Sequence, residues 1–115
     1  MADGEPVRVL FVCSRNRLRS PTAEAVFNTV EGVEARSAGT AGDADWQITL
    51  DDIQWADLIL AMENKHANRL KADFRQAVAY KTIGVLAIPD DYKYMQEDLV
   101  ELLRQRVMPL IRASE

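Results

Sequence analysis

The sequence predicts an α/β fold, a three-layer sandwich in which a four-stranded parallel sheet lies between two layers of helices. Two observations support this fold class. Short apolar runs alternate along the chain with stretches whose apolar residues recur at helical spacing. Three of the runs are almost uninterrupted, which is typical of strands buried on both faces of a parallel sheet. The resulting order, β-α-β-α-β-α-β-α, predicts a small open parallel sheet with helices on both faces.

The four predicted strands differ in how strongly the sequence supports them. Residues 7–12, 58–62 and 83–88 are almost uninterrupted apolar runs, and we expect each to be buried on both faces. Residues 33–38 alternate between polar and apolar side chains and form the weakest run. This segment therefore predicts an edge strand.

Four helices are predicted between and after these strands. The first has Ser20 as a candidate cap and Pro21 at the first helical position. Its buried stripe comprises Ala23, Val26, Phe27 and Val30. A second helix begins at Thr49, with Asp52 as the partner in a capping box. The third contains Ala67, Leu70 and Phe74. The last spans about residues 96–112, and Pro109 is expected to kink or end it.

Composition limits the kind of protein. A chain of 115 residues that is 48% apolar predicts a single domain over residues 1–115. No apolar run approaches the roughly 20 residues of a membrane span, and residues 1–6 lack the apolar block of a secretory signal. The net charge of −4 argues against a general nucleic-acid binder. The single cysteine excludes an internal disulfide and a cysteine-rich zinc site, and it favours a cytoplasmic setting.

The junction between the first strand and the first helix carries the candidate chemistry. It reads Cys-Ser-Arg-Asn-Arg-Leu-Arg-Ser-Pro from Cys13 to Pro21, and we call residues 13–19 the anion loop. Backbone N–H groups at such a junction can converge on an anion beside the helix N-terminus. They would favour the thiolate of Cys13, and Arg19 could bind two phosphate oxygens with its planar guanidinium. The pattern predicts attack of sulfur on phosphorus, a cysteinyl-phosphate and its hydrolysis by water.

This reaction needs a general acid to protonate the leaving oxygen. Asp90 and Asp91 follow the fourth strand directly, so we expect them at the same edge of the sheet as Cys13. After Pro89, two aspartates would ordinarily indicate a turn. His66, the only histidine, lies on the third predicted helix and is interpreted as a solvated helix residue rather than a metal ligand.

Residues 9–27, VLFVCSRNRLRSPTAEAVF, resemble the signature of the low-molecular-weight protein tyrosine phosphatases, a cysteine followed after five residues by Arg-Ser-Pro. Residues 37–40 (SAGT), 56–62 (ADLILAM) and 90–92 (DDY) match further segments of that family. The resemblance covers most of the chain. More narrowly, CSRNRLRSPTAE together with IPDDY is similar to a compact bacterial subgroup of the family.

The resemblance implies a role for each matched residue. Cys13 would be the nucleophile, Arg19 the phosphate-binding arginine and Asp90 the general acid. Ser20 would hydrogen-bond the thiolate and Asn16 would hold the unusual backbone of the loop. The full substrate-binding set implied is Ser14, Arg15, Asn16, Arg17, Leu18, Ser20, Asp91 and Tyr92, with Tyr92 beside the phenyl ring of the substrate. No metal or other cofactor is implied.

Several positions depart from the family pattern. Arg15 replaces a small residue, and Arg17-Leu18 replaces the usual Ile-Cys, so three guanidinium groups share one loop. We expect this cluster to favour multiply charged substrates and to raise their encounter rate. Asp91 replaces a proline, which leaves open whether Asp90 or Asp91 is the acid. The segment around Trp46 is shorter than in the family and predicts a shallower or differently walled pocket.

The sequence thus predicts a cysteine-dependent phosphatase that hydrolyses phosphotyrosine or another phosphomonoester. Its partners would be a phosphorylated protein or a small phosphomonoester, with inorganic phosphate as product and neither nucleic acid nor membrane. The alternative is a non-catalytic module that binds phosphate or phosphoproteins on the same fold. A third possibility, arsenate reduction, would need an external thiol because the chain has one cysteine.

Overall fold

Four parallel strands form the central sheet of the computed structural model, which describes residues 4–114. Their spatial order is β2-β1-β3-β4. The strands are β1 (Val7–Cys13), β2 (Val33–Gly39), β3 (Leu58–Ala61) and β4 (Thr82–Val85). The parallel sheet and the edge position of β2 confirm the sequence prediction. Of the segment 1–6 that was inspected for a secretory signal, residues 1–3 lie outside the described residues.

In the described part of the chain, residues 4–114, five helices cover the two faces of the sheet. They are α1 (Arg19–Phe27), α2 (Leu50–Trp55), α3 (Asn64–Asp73), α4 (Arg75–Val78) and α5 (Glu97–Ser114). Helices α1 and α5 share one hydrophobic cluster with the sheet, and α2, α3 and α4 share the other. The three-layer α/β sandwich is therefore confirmed, with the short helix α4 as an unpredicted addition. Within residues 4–114, no helix combines the length and the apolar character that crossing a membrane would need.

Alternation along β1 explains how one strand serves both layers. Val9 and Phe11 belong to the cluster on the α1 and α5 side, whereas Leu10 and Val12 belong to the cluster on the opposite side. Successive side chains of a strand point to opposite faces, so an uninterrupted apolar run suits a strand covered on both sides. The Phe11 ring stacks on Phe27 of α1 with centroids 5.5 Å apart. This packing fixes the position of α1 over the end of β1.

The strand predicted at residues 83–88 is wrong in its limits and in its burial. β4 is an edge strand, and its side chains are exposed or half-buried. Beyond Val85 the chain bends at Ala87, whose φ is 55°. This bend turns both Leu86 and Ile88 into the core, while their N–H groups bond the carbonyls of Ala61 and Met62. The apolar residues 86 and 88 therefore belong to a bent segment packed in the core, and they do not extend the strand.

Helix ends agree with the sequence prediction at α2 and differ at α1 and α5. Thr49 and Asp52 form the predicted capping box. Leu18 is the N-cap of α1, so Ser20 is not a cap and instead lies inside the first turn. α5 continues through Pro109 to Ser114. Pro109 is exposed, which leaves the carbonyl it cannot bond open to solvent.

Candidate active site

A cavity of about 450 Å³ opens at the carboxyl end of the sheet, where β1 passes into α1. In doubly wound folds this edge is the usual place for a ligand. The cavity is lined by Cys13, Ser14, Arg15, Arg17, Leu18, Arg19 and Asp90. Six of these residues come from the anion loop, and the seventh comes from the segment after β4.

Cys13 lies at the buried end of the cavity, where its sulfur has two hydrogen-bond partners. The backbone N–H of Asn16 donates to Sγ at 3.3 Å, and the Ser20 hydroxyl lies 2.8 Å from Sγ. Asn16 Nδ2 in turn donates to Ser20 Oγ at 3.0 Å. Because Ser20 Oγ accepts from Asn16, its own hydrogen is available to donate to sulfur. Two donors aimed at one sulfur stabilise a thiolate.

The anion loop is held from behind by the segment that follows β2. Backbone N–H groups of residues 40, 41 and 45 donate to the carbonyls of residues 13, 14 and 15, at 2.9–3.0 Å. Gly39 permits this contact, because a Cβ there would lie 2.5 Å from the Ser14 carbonyl oxygen and 2.6 Å from Ala44 Cβ. Because these carbonyls are hydrogen-bonded to the segment after β2, the curved backbone of the loop is fixed before any ligand binds.

Arg19 is almost fully buried, and its guanidinium is held by three groups. Nη1 donates to Glu63 Oε2 at 2.6 Å and to the Ile88 carbonyl at 2.8 Å. Nε lies 3.5 Å from Asp90 Oδ1. The hydrogen bond from Arg19 holds the pKa of the Glu63 carboxyl below its usual range. Glu63 was not predicted as a site residue, although it lies two residues after the end of β3, at the same edge of the sheet.

The two aspartates after β4 occupy different positions. Asp90 lines the cavity beside Arg19, and its side chain is 63% exposed. Asp91 is exposed and is not among the residues that line the cavity. Tyr92 also does not line the cavity and instead packs, half-buried, against the core cluster of α1 and α5. The expected contacts of Asp91 and Tyr92 with substrate are thus not formed by this cavity.

The remaining arginines of the loop are paired with acids of the segment after β2. Arg17 Nε lies 3.2 Å from Asp45 Oδ1, and Arg15 Nε lies 3.8 Å from Asp43 Oδ2. All four side chains are largely exposed, so these pairs are weak and screened by salt. The sequence predicted that three guanidinium groups share this loop and favour multiply charged substrates. In the fold, all three lie beside carboxylates, Arg15 and Arg17 at the surface and Arg19 in the interior.

His66 is a second residue of the site that sequence reasoning missed. It was predicted as a solvated helix residue, but it is 1% exposed and its Nε2 lies 2.8 Å from Ser14 Oγ. Burial and the nearby Arg19 guanidinium lower the pKa of His66 to about 4. The position of His66 in the sequence could have predicted this contact. His66 lies only five residues beyond the end of β3, at the edge of the sheet where β1 also ends.

Comparison with known proteins agrees with this geometry. The family model for low molecular weight phosphotyrosine protein phosphatases matches residues 8–49. A low molecular weight phosphotyrosine protein phosphatase from Gallus gallus is 32% identical, over 93% of this chain and 93% of that protein. A protein-arginine-phosphatase from Geobacillus stearothermophilus is 30% identical, over 63% of this chain and 65% of that protein.

Solved structures show the same fold. The YwlE arginine phosphatase from Geobacillus stearothermophilus has a TM-score of 0.63 and 26% identity, over 95% of this chain and 91% of that one. The Erwinia amylovora tyrosine phosphatase AmsI has a TM-score of 0.73 and 24% identity, over 98% of this chain and 97% of that one. The fold and the cysteine loop define a cysteine-dependent phosphatase. The chain belongs to the low molecular weight phosphotyrosine protein phosphatase family.

Proposed function

We propose that this phosphatase hydrolyses aryl phosphomonoesters, phosphotyrosine in proteins among them, through a phosphoenzyme formed on Cys13. The observation that carries the proposal is one cavity with a hydrogen-bonded cysteine at its base, a buried arginine in its wall and an exposed aspartate beside that arginine. In the first step Cys13 Sγ attacks phosphorus, the bond from phosphorus to the leaving oxygen breaks, and Asp90 donates a proton to that oxygen. The product of this step is a cysteinyl-phosphate and a free phenol.

The second step returns the enzyme to its starting state. Asp90, now a carboxylate, takes a proton from water as the water oxygen attacks phosphorus. The bond from phosphorus to sulfur breaks, and inorganic phosphate and the Cys13 thiolate are released. Ser20 supports this step because a hydrogen bond from its hydroxyl stabilises the thiolate as a leaving group.

Arg19 would bind the equatorial oxygens of the phosphoryl group together with the loop N–H groups. This role is supported by the fixed position of the guanidinium. Glu63 and the Ile88 carbonyl both accept hydrogen bonds from Nη1, and Arg19 lines the cavity. A preorganised cation does not have to reorient when negative charge moves onto the phosphoryl oxygens, which makes it effective in the transition state.

Asp90 is the better candidate than Asp91 for the general acid. Asp90 lines the cavity and lies 3.5 Å from Arg19 Nε, within reach of a group bound above Cys13. Asp91 points elsewhere and is exposed. We therefore assign the proton transfers to Asp90 and keep Asp91 as the comparison variant in the test below.

The rim of the cavity favours an aromatic leaving group. Leu18 is 37% exposed at the rim, and Arg15 and Arg17 can present guanidinium planes to a ring face. A phosphorylated arginine side chain would bring a further guanidinium group toward these arginines. The relative named as a protein-arginine-phosphatase makes phosphoarginine the second candidate substrate. A cytoplasmic setting fits the proposal because the reaction needs a reduced thiolate.

Hydrolysis of phosphotyrosine peptide and of phosphoarginine peptide by the purified chain tests the proposal. Cys13→Ser and Arg19→Ala should each lower kcat/KM by at least about a thousandfold, because each removes an element of the transition-state machinery. Asp90→Asn should lower kcat by roughly a hundredfold or more, and Asp91→Asn should leave it within about threefold. Full activity of Cys13→Ser would overturn the mechanism, and faster turnover of phosphoarginine would overturn the substrate class.

A further inference from the structure

Ser14 and His66 form a buried polar pair directly beside the nucleophile. Ser14 follows Cys13 in the anion loop and lines the cavity, whereas His66 lies beneath it in the first turn of α3. Ser14 Oγ and His66 Nε2 are 2.8 Å apart. The mechanism derived above uses neither side chain. A histidine that is 1% exposed and bonded to a residue of the cavity wall therefore calls for a role.

The hydrogen bonds of His66 fix which nitrogen carries the proton. The backbone N–H of Glu63 donates to Nδ1 at 3.1 Å, so Nδ1 is the acceptor and is unprotonated. In the neutral ring the hydrogen is then on Nε2, which donates to Ser14 Oγ. His66 therefore cannot act as a base toward Ser14. The pair is the reverse of a nucleophilic serine–histidine arrangement.

The hydroxyl hydrogen of Ser14 is directed by this bond. Ser14 Oγ accepts from His66, and among residues 4–114 it has no other hydrogen-bond partner. Its own hydrogen is thus free for a ligand in the cavity that Ser14 lines. We propose that Ser14 donates a hydrogen bond to the phosphoryl group of the substrate, and that His66 is the positioning residue that orients it. This inference rests on the proposed function, which supplies the phosphoryl group.

Several charged groups surround His66 and keep its ring neutral. Arg19 and Lys65 oppose a positive charge on the ring, whereas Glu63 and Asp90 favour one. Burial outweighs these groups and lowers the pKa of His66 to about 4. Protonation would also place an N–H on Nδ1 against the Glu63 N–H. The donor to Ser14 is therefore in place throughout the neutral range of pH.

The same turn of α3 holds both ends of the anion loop. His66 contacts Ser14 near the start of the loop, and the Glu63 side chain bonds Arg19 at its end. Since the Glu63 N–H also bonds the His66 ring, the two contacts are coupled through one residue. Ser14 and Arg19 are thereby held on the same rigid support, as two donors to one phosphoryl group would have to be.

Binding of inorganic phosphate, measured by isothermal titration calorimetry at pH 7, tests this role without requiring turnover. Ser14→Ala should weaken phosphate binding roughly tenfold to hundredfold, the usual effect of losing a hydrogen bond to a charged group. Ser14→Thr keeps the hydroxyl and should bind within about threefold of the unchanged chain. His66→Asn keeps the acceptor for Glu63 but cannot reach Ser14, so it should weaken binding. His66→Gln can still reach Ser14 with an N–H and should retain most of the affinity.

The double variant separates orientation of Ser14 from a general structural role. In the Ser14→Ala background, His66→Asn should cost no further phosphate affinity, because the hydroxyl that it orients is gone. Unchanged binding by Ser14→Ala, or an equal loss from His66→Asn in both backgrounds, would overturn the inference. If His66→Asn does not fold, the contrast between Ser14→Ala and Ser14→Thr decides. A chain that binds phosphate with this pattern but hydrolyses nothing would contradict the proposed function alone.

Discussion

Asn16 shows how one residue can support a reacting group through both its backbone and its side chain. Its φ is 57°, in the left-handed region, and this conformation aims its N–H at Cys13 Sγ. Its side-chain amide donates to Ser20 Oγ, which leaves the Ser20 hydrogen for the same sulfur. Asparagine tolerates the left-handed region better than most residues. Both donors to sulfur therefore depend on this residue.

Two substitutions of Asn16 separate these contributions. Asn16→Ala and Asn16→Gly both lose the amide bond to Ser20, so kcat should fall by a similar factor in both. Asn16→Ala should lower the free energy of unfolding by roughly 0.5 to 1 kcal/mol more than Asn16→Gly, because left-handed backbone is unfavourable for alanine. Urea denaturation and steady-state kinetics measure the two effects. Equal stability of the variants would contradict the assigned strain.

The predicted residues that do line the cavity are those with a local signal in the sequence. Cys13 and Arg19 lie in one continuous motif, and Asp90 directly follows an apolar run, so the position of each relative to a strand could be predicted. Ser14 and His66 are 52 residues apart in the chain, and only the pairing of β1 with β3 brings them together. A single histidine on a polar helix gives no sign of such a partner, which is why His66 was misassigned.

At the scale of elements, the segment between β4 and α5 places the proposed general acid. Arg106 of α5 donates to the Leu86 carbonyl at 2.6 Å and to the Ala87 carbonyl at 2.7 Å. Arg19 donates to the following carbonyl, that of Ile88. These bonds satisfy carbonyls that the bend at Ala87 removes from the sheet. The helix and the anion loop thus fix the segment just before Asp90 from both sides.

Removal of the Arg106 side chain should impair proton transfer more than phosphate binding. In Arg106→Ala we expect kcat/KM, which reports the first step, to fall by roughly tenfold for a phosphate ester with a poor leaving group, which depends on the acid, and by less than about threefold for p-nitrophenyl phosphate. Arg104→Ala changes an exposed arginine of the same helix and should match the unchanged chain. Steady-state kinetics with both esters measure the contrast. An equal loss on both esters would contradict a role through Asp90.

The limits of these elements were harder to predict than their existence. Residues 83–88 are all apolar or glycine, so the pattern does not reveal that the strand ends at Val85 or that Ala87 adopts a positive φ. The bend arises from contacts with α5, which is adjacent in space but begins twelve residues after the strand ends. Pro109 similarly lies within a helix because it faces solvent, a property set by packing and not by the residue itself.

At the scale of the whole molecule, the sheet order explains why the site is assembled from distant segments. β1 lies between β2 and β3, so the anion loop after β1 is flanked by the segment after β2 and by the first turn of α3. The composition and alternation of the chain were sufficient to predict this three-layer arrangement. One consequence is that a buried histidine in α3 links the active site to the stability of the fold.

This link predicts a specific dependence of stability on pH. The pKa of His66 is about 4 in the fold and 6.5 in an unfolded chain. Between these values the unfolded chain binds a proton that the folded chain does not, so the free energy of unfolding falls as the pH drops from 6.5 to 4. The loss attributable to His66 should reach up to about 3 kcal/mol. Arg19 lowers the pKa of Glu63. Protonation of Glu63 therefore causes a further loss of stability once the pH falls below the ordinary pKa of a glutamate, 4.5.

Urea denaturation of the unchanged chain and of His66→Gln, at intervals between pH 4 and pH 7, isolates the contribution of His66. Glutamine does not titrate, so the variant should lose distinctly less stability over this window, although it starts from a lower value at pH 7. Glu63 titrates in both proteins and therefore cancels from the difference between the two curves. Parallel curves would mean that the pKa of His66 is the same in the folded and the unfolded chain, and they would contradict a buried ring that the fold keeps neutral.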